Sequence, residues 1–245
     1  MKKFVSFVVV CGLFFFSATT LFAQEAVAEG GGLTEMHNLA KEYFVKGGVP
    51  WMSPILLLLI FGLAIAIERI LYLNLATVDT NKLLKKVEDA LAGEGGVEAA
   101  KEVCRNTRGP VASIFYQGLL RSEEGVEVVE KSIVSYGGVQ MAKLENGMGW
   151  LNLFIAVIPS VGFLGTVVGM VVAFDNIAKA GDISPNIVAS GMMIALLTTV
   201  MALISAVILQ FFYNYLLVKI SSLVASMEDS SISMMDILVK NQRKN

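Results

Sequence analysis

The chain has 245 residues, 55% hydrophobic and 16% charged, with a formal net charge of −2 and a mean hydropathy of +0.67. That balance excludes an ordinary soluble domain and leaves no basic footprint for nucleic acid. The two cysteines, Cys11 and Cys104, are far apart and His37 stands alone, so a disulfide framework, a zinc ligand set and a histidine proton relay are excluded as well.

Residues 1–23 have the form of a secretory signal: Lys2 and Lys3, an apolar run over 4–16, then SATTLFA before Gln24. The alternative is an uncleaved extra helix. Residues 24–50 form a polar segment with a Gly30–Gly31–Gly32 run. Within it, Leu33, Met36, Leu39, Ala40, Tyr43 and Phe44 have the spacing of a short amphipathic helix lying along a membrane surface. Gly47, Gly48 and Pro50 should stop that helix. His37, Lys41 and Glu42 then make a solvated face. The signal reading places this segment outside the cytoplasm, in the periplasm.

Residues 51–75 predict the first transmembrane helix, with Trp51 at one interface and Tyr72 at the other. Arg69 is expected to snorkel to the surface, and Glu68 either does the same or faces a neighbouring subunit. Residues 76–149 read as a helical cytoplasmic segment in four pieces, with Pro110 after Gly109 opening one of them. No phosphate-binding glycine loop, no Ser/His/Asp set and no Cys/His set appears, so neither a cofactor nor an enzyme is indicated. Cys104 is expected to be a packed or surface thiol. The lysines and arginines concentrate here and after residue 218, which places both regions in the cytoplasm.

Two more spans follow, at residues 150–175 and 186–218, joined by a periplasmic loop over 176–185. A cytoplasmic tail occupies 219–245. The helices over 133–157 and 211–227 are expected to continue past the membrane surface as long rods, with no separate globular domain. The fold class is therefore all-α: a polytopic membrane protein with three transmembrane helices extended into the cytoplasm. The lipid bilayer is its first partner.

From Leu151 to Phe174 and from Asn186 to Val218 these spans carry no ionisable side chain except tyrosine near the end of the third. Each has a stripe of small and hydroxylic residues at helical spacing: Gly162, Thr166, Gly169 and Ala173 on one, and Ala195, Thr199, Ala202 and Ala206 on the other. The stripes either line a shared interior or merely let the helices pack, as Gly165-x-x-x-Gly169 would. A threonine hydroxyl also has the option of bonding its own helix backbone. Thr198 and Thr199 are about 100° apart, so one of them faces a given interior, and Thr199 shares its face with the alanines. Pro159 should kink the second span near its cytoplasmic end.

At these residues the sequence resembles the MotA/TolQ/ExbB proton-channel family, and most of all its ExbB branch. The resemblance rests on Pro159, then Gly162, Gly165, Thr166 and Gly169, then Gly191, Ala195, Leu196, Thr198, Thr199 and Leu203. It implies a homo-oligomeric ring, a pentamer, in a bacterial inner membrane, enclosing helices of an ExbD-like subunit and coupled to a TonB-like protein. The ring would use the proton motive force to energise transport across the outer membrane. Thr166 and Thr199 would be pore-lining hydroxyls facing the partner's aspartate, with Thr198, Gly162, Gly169, Ala195 and Ala202 beside them. A TolQ-like or gliding-motor role is the alternative within the family, and a passive membrane scaffold is the alternative outside it. One position departs from the family pattern: Ile194 stands where many members carry a glutamate. A charge in hydrocarbon is costly and appears where it is used, so the titratable group is expected on a partner helix. Asp175 is expected at the outer mouth of the pore.

Overall fold

The computed structural model describes residue 38, residues 41–181 and residues 185–242. The expected signal and most of the expected surface helix lie outside these. Residues 41–46 are helical, and the Gly47 N–H donates to the Tyr43 carbonyl at 2.8 Å. Gly48 then takes φ +82 and separates this piece from the first span, as its glycines and proline require.

The helices that follow are α1 (Val49–Ala76), α2 (Thr80–Ala92), α3 (Gly96–Asn106), α4 (Pro110–Leu120), a 3-10 turn (Ser122–Glu124), α5 (Val126–Glu145), α6 (Met148–Ala180) and α7 (Pro185–Gln242). Among the described residues there is no strand. The helices α1, α6 and α7 are each long and apolar enough to cross a membrane. Together they define a membrane protein with three candidate spans.

Local chemistry sets the boundaries. The Asp79 carboxylate caps α2 by accepting the Lys82 N–H at 3.3 Å. At the start of α4, Gly109 takes φ +115 and Pro110 supplies the first helical residue. Only glycine fits at 109, because a Cβ there would sit 3.0 Å from the Ala76 carbonyl oxygen. That contact ties the α3–α4 turn to the end of α1. The first span thus ends one residue past its expected limit, and α6 continues to Ala180 through an Asp175–Lys179 ion pair at 2.6 Å.

The largest departure from expectation is at Gly147. A continuous rod over 133–157 is predicted from pattern, but the chain breaks between α5 and α6. Asn146 is extended with ψ 136, and Gly147 is left-handed with φ +83. The cause is Arg69 of α1. A Cβ on Gly147 would lie 3.0 Å from Arg69 Nε, so the backbone can cross the guanidinium only at a glycine. The same contact corrects the snorkelling expected of Arg69. Its side chain is 11% exposed, lies with Cζ 5.3 Å from the Tyr72 ring centroid, and reaches Glu68 at 3.6 Å. Its Nε has no hydrogen-bond partner. The neighbouring Glu68 stays exposed.

By contrast, α7 exceeds expectation. It runs unbroken for 58 residues, through the membrane and on to Gln242. The picture of bare rods is corrected in the cytoplasmic part, where α2, α4 and α5 pack against the α7 extension and α3 packs on α2 and α4. Val87, Ile114, Phe115 and Leu119 are at most 1% exposed and belong to the same core cluster as Met234 and Leu238. Lys240 near the end of α7 reaches Glu88 of α2 at 3.8 Å. Large apolar side chains leave water here, and each fully buried one contributes about 1.5–3 kcal/mol before ordering costs.

Candidate functional site

The helices α6 and α7 are antiparallel and meet along the small residues. Gly162 opposes Ala202, Gly165 opposes Thr198, Gly169 opposes Ala195, and Ala173 opposes Gly191. A Cβ on Gly165 would be 3.0 Å from Thr198 Oγ1, and one on Gly169 would be 3.2 Å from the Ala195 backbone nitrogen. Backbones this close require glycine. In lipid, where apolar burial gives helices no reason to associate, such close approach supplies the attraction. On its other side α7 runs parallel to α1: Gly48 lies by Ile194, and Gly62 lies by Leu209.

Of the residues expected to line an interior, Gly162, Gly169, Ala195, Thr198 and Ala202 are covered by the opposite helix within this chain. They form the contact itself, so in the single chain the packing reading accounts for them. Thr166 and Thr199 differ. Both are half-buried at the edge of the contact, about 27 Å along α6 from Met148 by helical rise. The two hydroxyls are hydrogen-bonded to each other. Thr166 Oγ1 also lies 3.0 Å from the Ala195 carbonyl oxygen across the interface and 3.2 Å from that of Gly162. Thr199 Oγ1 is 3.2 Å from the same Ala195 oxygen. Thr198 Oγ1 is 2.9 Å from it and 3.2 Å from the Ile194 carbonyl.

Ile194 faces the start of α1: its Cγ2 would lie 3.4 Å from a Cβ on Gly48. Its side chain thus lies on the side of α7 that packs against α1. Asp175 is exposed and ion-paired to Lys179. Pro159 sits inside α6, which stays helical through it. Among the described residues no cluster of His, Cys, Asp and Glu could hold a metal ion.

Two features escaped the sequence reading. Ser205 is fully buried on the same face of α7 and donates to Met201 O at 2.8 Å. Its spacing from Thr198 and Ala202 marks it. The Ala195 carbonyl is the other; no side-chain pattern reveals a backbone acceptor shared between helices.

The two helices α6 and α7 form a membrane hairpin packed on glycines, with an uncharged hydroxyl pair between them. Residues 106–229, about half of the chain, match the model of the MotA/TolQ/ExbB proton channel family. The chain belongs to that family. It is 30% identical over 170 residues to a protein of Methanothermobacter thermautotrophicus named as a biopolymer transport ExbB homolog, a match covering 69% of this chain and 60% of that protein. With the ExbB-like biopolymer transport protein 1 of Synechocystis it shares 29% identity over 179 residues, 71% of this chain and 69% of that protein. With the biopolymer transport protein exbB1 of Vibrio cholerae it shares 36% over 69 residues, 28% of this chain and 30% of that protein. The chain thus spans 60% of the length of the first of these relatives.

Proposed function

We propose that this chain is the ExbB-type stator subunit of a proton-driven motor in a bacterial inner membrane. Its N-terminal segment is periplasmic and its C-terminus cytoplasmic. Copies assemble as a ring, a pentamer, around transmembrane helices of an ExbD-like subunit, and a TonB-like protein carries the output to the outer membrane. Thr166 and Thr199 are the hydroxyls that meet the partner's carboxylate.

One observation carries this reading. The helices that build the hairpin bring two half-exposed hydroxyls into contact at mid-membrane, yet provide no titratable acid or base near them. A hydroxyl pair can relay or hydrogen-bond a proton but cannot store a charge at neutral pH. The storing group therefore comes from another chain. Basic residues around the spans support the orientation. The drive is the membrane potential, about 2.3 kcal/mol per charge per 100 mV.

The test is Thr166→Val and Thr199→Val, separately, in the intact complex. Uptake dependent on the proton motive force should be lost while the complex still assembles and co-purifies with a carboxylate-bearing transmembrane subunit. Unchanged uptake in both variants removes the threonines from the path. A purified single-component preparation that conducts protons unaided removes the division of labour.

A further inference from the structure

The Ala195 carbonyl lies within hydrogen-bond distance of three hydroxyls: Thr166 at 3.0 Å, Thr198 at 2.9 Å and Thr199 at 3.2 Å. A carbonyl oxygen has two lone pairs, and each threonine has one proton to give. Inside the continuous helix α7 one lone pair already takes the N–H of the fourth residue on. Three protons therefore compete for one remaining site. Each hydroxyl also has a second acceptor: Gly162 O or Thr199 for Thr166, Thr166 for Thr199, and Ile194 O at 3.2 Å for Thr198.

Counting the donors gives distinct hydrogen-bond orders. When Thr198 donates to Ile194 O, the Ala195 oxygen is open to the pair. Then either Thr199 donates to Ala195 O and Thr166 donates to Thr199, or Thr166 donates to Ala195 O and Thr199 donates to Thr166. The two orders reverse the direction of the bond between Thr166 and Thr199. When Thr198 takes the Ala195 oxygen instead, the pair loses its shared anchor, and Thr166 falls back on Gly162 O.

We propose that Thr198 is a positioning residue for the hydroxyl pair. Its side chain is fully covered within this chain and wedged against Gly165. Through the Ala195 carbonyl it decides whether Thr166 and Thr199 can exchange donor and acceptor roles, and so which of them offers a lone pair outward. A relay that must accept and then release a proton needs both orders. This deepens the motor reading above and rests on it.

The experiment measures proton flux through the intact purified complex in proteoliposomes, from pH 6 to 8 and in H2O against D2O. The variants are Thr198→Val, Thr198→Ala and Thr198→Ser, beside Thr166→Val and Thr199→Val. Thr198→Val keeps the shape and removes the donor. It leaves the Ala195 oxygen always open to the pair, so it should raise flux about 3- to 10-fold, the worth of one hydrogen bond, and change the isotope ratio. Thr198→Ala should do the same, and Thr198→Ser should stay within about 2-fold of wild type. Wild-type flux and isotope ratio in both Thr198→Val and Thr198→Ala, with Thr166→Val and Thr199→Val inactive, overturn the positioning role and leave the pore reading standing. A loss in Thr198→Val, or an equal change in Thr198→Ser, also overturns it, because packing would then be the cause. Flux unchanged in Thr166→Val and Thr199→Val overturns the pore reading itself.

Discussion

The two halves of α7 bury residues at the same spacing but of opposite size. In the hairpin the covered residues are Ala195, Thr198, Ala202, Ser205 and Ala206; beyond Leu209 they become Leu216, Ile220, Leu223, Met227, Met234 and Leu238, with Ser230 as a small residue among them. Intervals of three, four and seven dominate both halves, which is the pattern of a helix keeping one face toward its partners. The environment changes instead. Where lipid surrounds the helix, large apolar side chains gain nothing by turning inward, and small ones let backbones touch. Where water surrounds it, large side chains gain most by turning inward. One helix therefore obeys two packing rules, and the change to large side chains begins at Leu209, opposite Gly62 of α1 and still within the expected span.

Substitutions can break that contrast. Phe115 is 0% exposed and is the largest fully buried side chain of the cytoplasmic half. Phe115→Ala should cost about 3–5 kcal/mol of that half's stability, read by thermal unfolding of the purified protein. A loss below about 1 kcal/mol would mean that large side chains do not hold the cytoplasmic half together. The enclosure of that half can be probed chemically through Cys104, which is 2% exposed and whose thiol burial pushes up to about 11. At pH 8 its thiolate is scarce, so maleimide labelling should run about 100-fold slower in the native protein than after denaturation. Comparable rates would show the α2–α4 layer to be open.

The sign of a glycine change depends on which half of the molecule it falls in. Gly165→Val should destabilise by about 1–3 kcal/mol, because its Cβ meets Thr198 at 3.0–3.3 Å. Gly137→Ala, in α5 with open space around it, should instead stabilise by about 0.5–1 kcal/mol. Equal effects at both sites would deny that α6 and α7 are packed differently from the cytoplasmic helices. The smallest effect concerns Asp79. Its ion pair with Lys82, and then the Lys82 amide, hold its carboxyl below the usual carboxylate range. The capping contribution is therefore full above about pH 4 and disappears as pH falls through the lowered value. A melting difference between wild type and Asp79→Asn should narrow below about pH 4; a constant difference would remove the charge from the cap.

Much of the fold was legible because its signals are local. The spans declare themselves by length and apolarity, Pro110 and Gly48 mark boundaries by backbone chemistry, and the four cytoplasmic helices follow their apolar spacing. The break at Gly147 was hidden because its cause, Arg69, is nearly eighty residues away in sequence and acts through a tertiary contact. The hairpin's small stripes were legible as stripes, but not which surface they meet. Only the pairing of Gly162 with Ala202 and Gly165 with Thr198 shows them turned toward each other, leaving Thr166 and Thr199 at the margin.

The unbroken length of α7 has a mechanical consequence. At 1.5 Å per residue the 58-residue rod is about 87 Å long, and roughly 50 Å of it lies beyond Leu209. No hinge separates the part beside the threonines from the tip beside Glu88. Rocking the hairpin by about 5° sweeps that tip through about 4 Å, close to the rise of a helical turn. Pivoted within the bilayer, such a rod would carry a small angular event in lipid to the cytoplasm enlarged.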